Sequence, residues 1–133
     1  MADRKRTLLL IDDDVDFLAQ MEIRLRDAGY AVVAAEGEAE GLRLAAESAP
    51  DLAVVDLMME HMDSGFTLAH ALKRGRPDLP VIMVTGVTAE TGMVFDAESG
   101  GGRSWIKADA LLAKPVRFEQ LLGVIERLLG ETA

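Results

Sequence analysis

Five short apolar runs constrain this chain more than anything else in it: Thr7 to Ile11, Ala31 to Ala35, Leu52 to Val55, Val81 to Val84 and the weaker Leu111 to Ala113. Runs of this length without alternation suit strands covered on both faces, as in a parallel sheet, better than half-exposed strands. Between them, apolar residues recur at helical spacing. Leu18, Met21 and Leu25 share one face, with Gly29 as a stop; Leu42, Ala45 and Ala46 mark a second helix, and Phe66, Leu68, Ala69 and Leu72 a third. The most regular stripe is Phe118, Leu121, Leu122, Ile125, Leu128 and Leu129, closed by Gly130.

Strand and helix alternating in this way predict an α/β fold of three layers, because right-handed crossovers place helices on both faces of a parallel sheet. The rhythm fails between Thr85 and Lys114, where Gly86, Gly92 and Gly100-Gly101-Gly102 interrupt any helical period. Each glycine costs a helix about 1 kcal/mol relative to alanine, so a long loop with a short or displaced helix is expected there. At 133 residues, half of them apolar, the chain is read as one domain over 1–133.

Composition narrows the chemistry. The chain has no cysteine, which removes disulfides, thiolate metal sites and thiol nucleophiles and accords with a reducing compartment. His61 and His70, read as solvated, are too few for a histidine metal site. A net charge of -9 opposes binding to a phosphate backbone and suits a cation. No run approaches the roughly 20 apolar residues that span a bilayer, and the basic opening Met1 to Arg6 lacks the apolar stretch of a signal peptide. The expectation is a cytoplasmic protein with neither membrane nor nucleic acid as a direct partner.

Polar residues collect where the strands end. Asp12, Asp13 and Asp14 follow the first run, Asp56 the third, Thr85 the fourth and Lys114 the fifth. In a doubly wound sheet the carboxyl ends of the strands line the ligand crevice, so these groups should converge. Unit charges 4 Å apart repel by about 4 kcal/mol at an effective dielectric near 20, and a positive ion must compensate. Oxygen-only ligands suit Mg²⁺, with Mn²⁺ as a substitute. Asp14 is read as the cap of the first helix, and Asp12 and Asp13 as metal ligands. A hydroxyl and an ammonium beside them would serve an anionic phosphoryl group.

The ordered set Leu10-Ile11-Asp12-Asp13-Asp14, Val54-Val55-Asp56-Leu57-Met58-Met59 with Met62-Asp63, Val84-Thr85-Gly86 and Lys114-Pro115 resembles the receiver domain of two-component response regulators over nearly the whole chain. The resemblance implies a flavodoxin-like (βα)5 fold of strand order 2-1-3-4-5, with an extended connection between the fourth and fifth strands. It implies that Asp56 is the phosphoacceptor, taking a phosphoryl group from a sensor histidine kinase or histidine phosphotransfer protein. Asp13, Asp56 and the main-chain carbonyl of Met58 would hold Mg²⁺ directly and Asp12 through water, with Thr85 and Lys114 on the phosphoryl oxygens. The domain would catalyse only its own phosphorylation and dephosphorylation and would act on an output protein, with homodimerisation open.

Departures from the family pattern are expected to tune this behaviour. Glu60 replaces a usual proline, and Gly65 comes one residue late. Leu111 occupies the place of an aromatic that in the family rotates with Thr85, so the aromatic part of the switch is not carried over, with Trp105 lying six residues earlier. Met58 and Val87, two residues beyond Asp56 and Thr85, are apolar and predict slow self-dephosphorylation. The segment 86–108 is expected to remodel a signalling face. The rival reading is a Mg²⁺-dependent aspartyl-phosphate phosphohydrolase of the haloacid-dehalogenase type, with its nucleophile on the first strand.

Overall fold

The computed structural model describes residues 6–56, 64–85, 109–113 and 116–130, with the backbone alone for 64–67 and 85. Its elements run β1 (Thr7–Ile11), α1 (Val15–Asp27), β2 (Ala31–Ala35), α2 (Glu38–Ser48), β3 (Leu52–Asp56), α3 (Ser64–Gly75), β4 (Val81–Thr85), β5 (Ala110–Ala113) and α4 (Phe118–Leu129). The five strands form one sheet in the order β2-β1-β3-β4-β5, every pairing parallel. Layering is as the sequence predicts and strand order as the resemblance implies, and the 86–108 segment lies outside the described residues.

Alternation along each strand divides the core in two. Leu8, Leu10, Leu52, Val54, Ile82 and Val84 face one layer, where they pack with Leu18, Met21 and Leu25 of α1 and Leu121 and Ile125 of α4. Leu9, Ile11, Ala53, Val55, Val81 and Met83 face the other, against Leu68, Ala69 and Leu72 of α3 and Leu44 and Ala45 of α2. The inner side of α2 is thus turned from Leu42 and Ala46, both exposed, towards Gly41, Leu44 and Ala45.

Local signals set the helix ends. Asp14 caps α1, its Oδ1 accepting from the main-chain N–H groups of Asp16 and Phe17 at 3.1 and 3.2 Å, which satisfies donors that a helix start leaves unpaired. Gly29 leaves α1 at φ +105°, a conformation that penalises residues with a β-carbon. The guanidinium of Arg24 sits 5.4 Å above the Phe118 ring and joins α1 to α4. Arg26 pairs with Glu22 at 2.7 Å and donates to the carbonyl of Val32 in β2 at 3.1 Å.

Candidate functional site

Register places the acids. Ile11 of β1 stands opposite Val55 of β3, so the next residue of each strand, Asp12 and Asp56, lies level with the other. Neighbouring strands run about 4.7–4.9 Å apart. One carboxylate oxygen from each of Asp12, Asp13 and Asp56 lies within 4.8 Å of the others. Asp12 and Asp56 are 2% and 5% exposed, whereas Asp13 faces solvent. Two of the three carboxylates therefore stand in a medium that screens poorly, and the third opens the cluster to water.

Main-chain bonds fix the cluster. The N–H of Asp12 donates to the carbonyl of Ala35 at 3.1 Å, tying it to the end of β2. The Oδ1 of Asp12 accepts from the N–H of Asp14 at 2.9 Å, so the residue that caps α1 also orients the acid two positions before it. Asp56 closes β3, sharing parity with Leu52 and Val54 and standing opposite Val84 of β4. No buried side-chain nitrogen or oxygen among the described residues lacks a hydrogen-bond partner.

Thr85 is the last residue of β4 and pairs with Ala113 of β5, which puts its backbone at the same carboxyl edge, one position beyond the level of Asp56. Leu111 pairs with Met83 and packs, half-buried, against the α2 and α3 layer. His70 is exposed, as expected. Lys114, Met58 and Val87 lie outside the described residues, as do Glu60, His61 and Trp105. Sequence reasoning passed over Asp51 and Asp109. Their position immediately before a strand is the signal that could have found them.

The donor set fits a hard divalent cation: oxygen ligands only, few of them from the protein, with one side open to water. Bringing three carboxylates this close costs Coulomb energy that a dication offsets, and the closing of β1 and β3 side by side makes that approach unavoidable.

A doubly wound sheet carrying an acidic triad at its carboxyl edge is the arrangement of a receiver, and the comparisons agree. The response regulator receiver domain family model matches residues 8–126; the chain belongs to that family. It is 34% identical over 133 residues to the transcriptional regulatory protein GlrR of Escherichia coli, a match covering 100% of this chain and 28% of that protein. It is 35% identical over 127 residues to the DNA-binding dual master transcriptional regulator RpaA of a Synechocystis species, covering 94% of this chain and 49% of that one. The chain thus spans between about a quarter and about half the length of these curated relatives. A CheY-like response regulator receiver domain protein from Methanospirillum hungatei superposes with a TM-score of 0.80 at 28% identity, over 96% of each chain. Nothing in the fold or the comparisons supports the haloacid-dehalogenase alternative. No described helix is long and apolar enough to cross a membrane.

Proposed function

We propose that this chain is a phosphoacceptor signalling domain in which Asp56 carries the phosphoryl group. The observation that supports this most is the meeting of Asp12, Asp13 and Asp56 within 4.8 Å at the carboxyl edge of a receiver sheet. A carboxylate oxygen of Asp56 forms a bond to phosphorus as the P–N bond of a phosphohistidine in a sensor kinase or phosphotransfer protein breaks. Asp12, Asp13 and Asp56, with the Met58 carbonyl, are the proposed holders of Mg²⁺ or Mn²⁺. The bound cation supplies positive charge that screens the approach of an anionic phosphoryl group to a carboxylate. Thr85 donates its hydroxyl proton to a phosphoryl oxygen and Lys114 pairs with another, holding the group for in-line transfer.

The proposed output is a changed protein-binding surface, read by a partner within a single domain over 1–133, in the cytoplasm. Moving a two-state mixture from 1:99 to 99:1 takes about 5.5 kcal/mol of differential interaction, which the phosphoryl contacts must provide. GlrR and RpaA are by name transcriptional regulators; the proposal for this chain is a phosphoryl-dependent regulatory input, without direct contact to nucleic acid. The domain turns over no other substrate.

Incubation with a small phosphodonor and Mg²⁺, followed by intact-mass analysis, tests the assignment. One phosphoryl group is expected on the unmodified chain, none after chelation and none on Asp56→Asn. Label retained by Asp56→Asn would overturn it.

A further inference from the structure

Gly41 is the buried residue of α2, and it lies directly over Ile11, the residue before Asp12. A β-carbon at position 41 would stand 2.7 Å from Ile11 Cδ1, 3.1 Å from Cγ1 and 3.3 Å from Cγ2, well inside the 3.5–4.0 Å at which carbon atoms pack. Turning the outer bond of Ile11 moves Cδ1 alone. Cγ1 and Cγ2 stay near Gly41, and a β-branched side chain is stiff about its first torsion. Ile11 is 1% exposed, set between Ala35 and Val55 on the flanking strands. An added carbon must therefore move either α2 or the backbone of Ile11, and Asp12 follows in the chain.

We infer that Gly41 is a positioning residue for the acidic site: its missing side chain lets Ile11, and through it Asp12, reach the level of Asp56. The inference rests on the cation reading proposed above. Glycine weakens a helix interior, and elsewhere it does so here without a packing reason: a β-carbon on Gly123 of α4 would meet nothing within 4 Å. Gly123→Ala is accordingly the control, sharing the change in helix propensity but not the contact.

The test uses the full chain, following the Asp12 and Asp14 amides by NMR in metal-free protein and measuring the Mg²⁺ dissociation constant by titration. Gly41→Ala is expected to shift both amides and to weaken Mg²⁺ about three-fold or more. Adding Ile11→Val, which removes Cδ1 and leaves both γ-carbons, restores both readings in part, and Gly123→Ala changes neither. If Gly41→Ala fails to fold, the double variant carries the test: it must fold, with both amides shifted and Mg²⁺ bound more weakly than in Ile11→Val alone. Unshifted amides with unchanged affinity in Gly41→Ala, or a defect that Ile11→Val does not lessen, would overturn the inference. Failure of the parent chain to bind Mg²⁺ would instead defeat the cation reading, and the metal-free amides would then decide alone whether Gly41 positions Asp12.

Discussion

Thr7 and Asp51 hold each other by two hydrogen bonds: the N–H of Asp51 donates to the Thr7 carbonyl at 2.7 Å, and the N–H of Thr7 donates to Oδ2 of Asp51 at 2.8 Å. Asp109 and Val81 repeat the arrangement at 2.7 and 2.8 Å. In each pair an aspartate just before one strand satisfies the first residue of its neighbour, so that neither β1 nor β4 begins with an unpaired donor. Acids at this end of the sheet serve the backbone, whereas those at the opposite end gather around one point.

Removing either aspartate should cost stability through that donor. Asp109→Ala leaves the Val81 N–H without its acceptor, and a loss of about 1–3 kcal/mol is expected; Asp51→Ala should behave alike. Lys73→Ala removes only the part-exposed ion pair to Asp109 at 2.8 Å, with about 1 kcal/mol or less at stake. Urea denaturation midpoints distinguish the two, and equal losses in Asp109→Ala and Lys73→Ala would contradict the account.

Asp14→Ala should destabilise the domain by about 1 kcal/mol by uncapping α1, while Asp14→Ser keeps most of the stability. The bond from the Asp14 N–H to Asp12 Oδ1 uses only the main chain of residue 14 and survives both changes. Mg²⁺ affinity should therefore change much less than the thermal midpoint; a parallel collapse of both would tie the cap side chain to the metal site.

Mg²⁺ should raise the unfolding temperature, by linkage worth about 2.7 kcal/mol at a hundred times its dissociation constant. Asp13→Asn is expected to reduce that gain. In chelator the same variant should be more stable than the parent by up to about 1 kcal/mol, since it relieves a solvent-screened repulsion. Calorimetry with and without Mg²⁺ gives both signs, and a less stable Asp13→Asn in chelator would show that repulsion does not govern the cluster.

Met58→Asn should shorten the lifetime of the acyl phosphate several-fold, because an amide two residues beyond Asp56 can orient the attacking water where a thioether cannot. Decay of phosphorylated protein by mass spectrometry reads this. An unchanged half-life would place control of water elsewhere.

Apolar runs made the strands legible almost to the residue, yet β3 and β4 extend one position further than their runs, through Asp56 and Thr85. Ladder hydrogen bonds are made by the main chain and do not depend on side-chain polarity, so the residue proposed to act at the end of β3 and of β4 is also the last structural one. Asp12, Asp13 and Asp56 could be assigned to one site because the carboxyl ends of strands in a doubly wound sheet share one edge; the strand order comes only with the resemblance to receivers. The role of Gly41 could not be read in the same way, since it depends on how closely α2 approaches β1. Asp51 and Asp109 were hidden for a related reason: an isolated acid in a loop looks solvated until the neighbouring strand is known.

The hold of Arg26 on the Val32 carbonyl affects how this domain can meet other molecules. β2 ends the sheet, and the margin of an outermost strand is ordinarily a template on which a foreign strand can pair. Here that carbonyl is engaged at 3.1 Å by a guanidinium that Glu22 holds in turn, and a cationic side chain lies across the path. Lengthening the sheet at β2 would require displacing Arg26 from this carbonyl first, which disfavours strand addition along that margin.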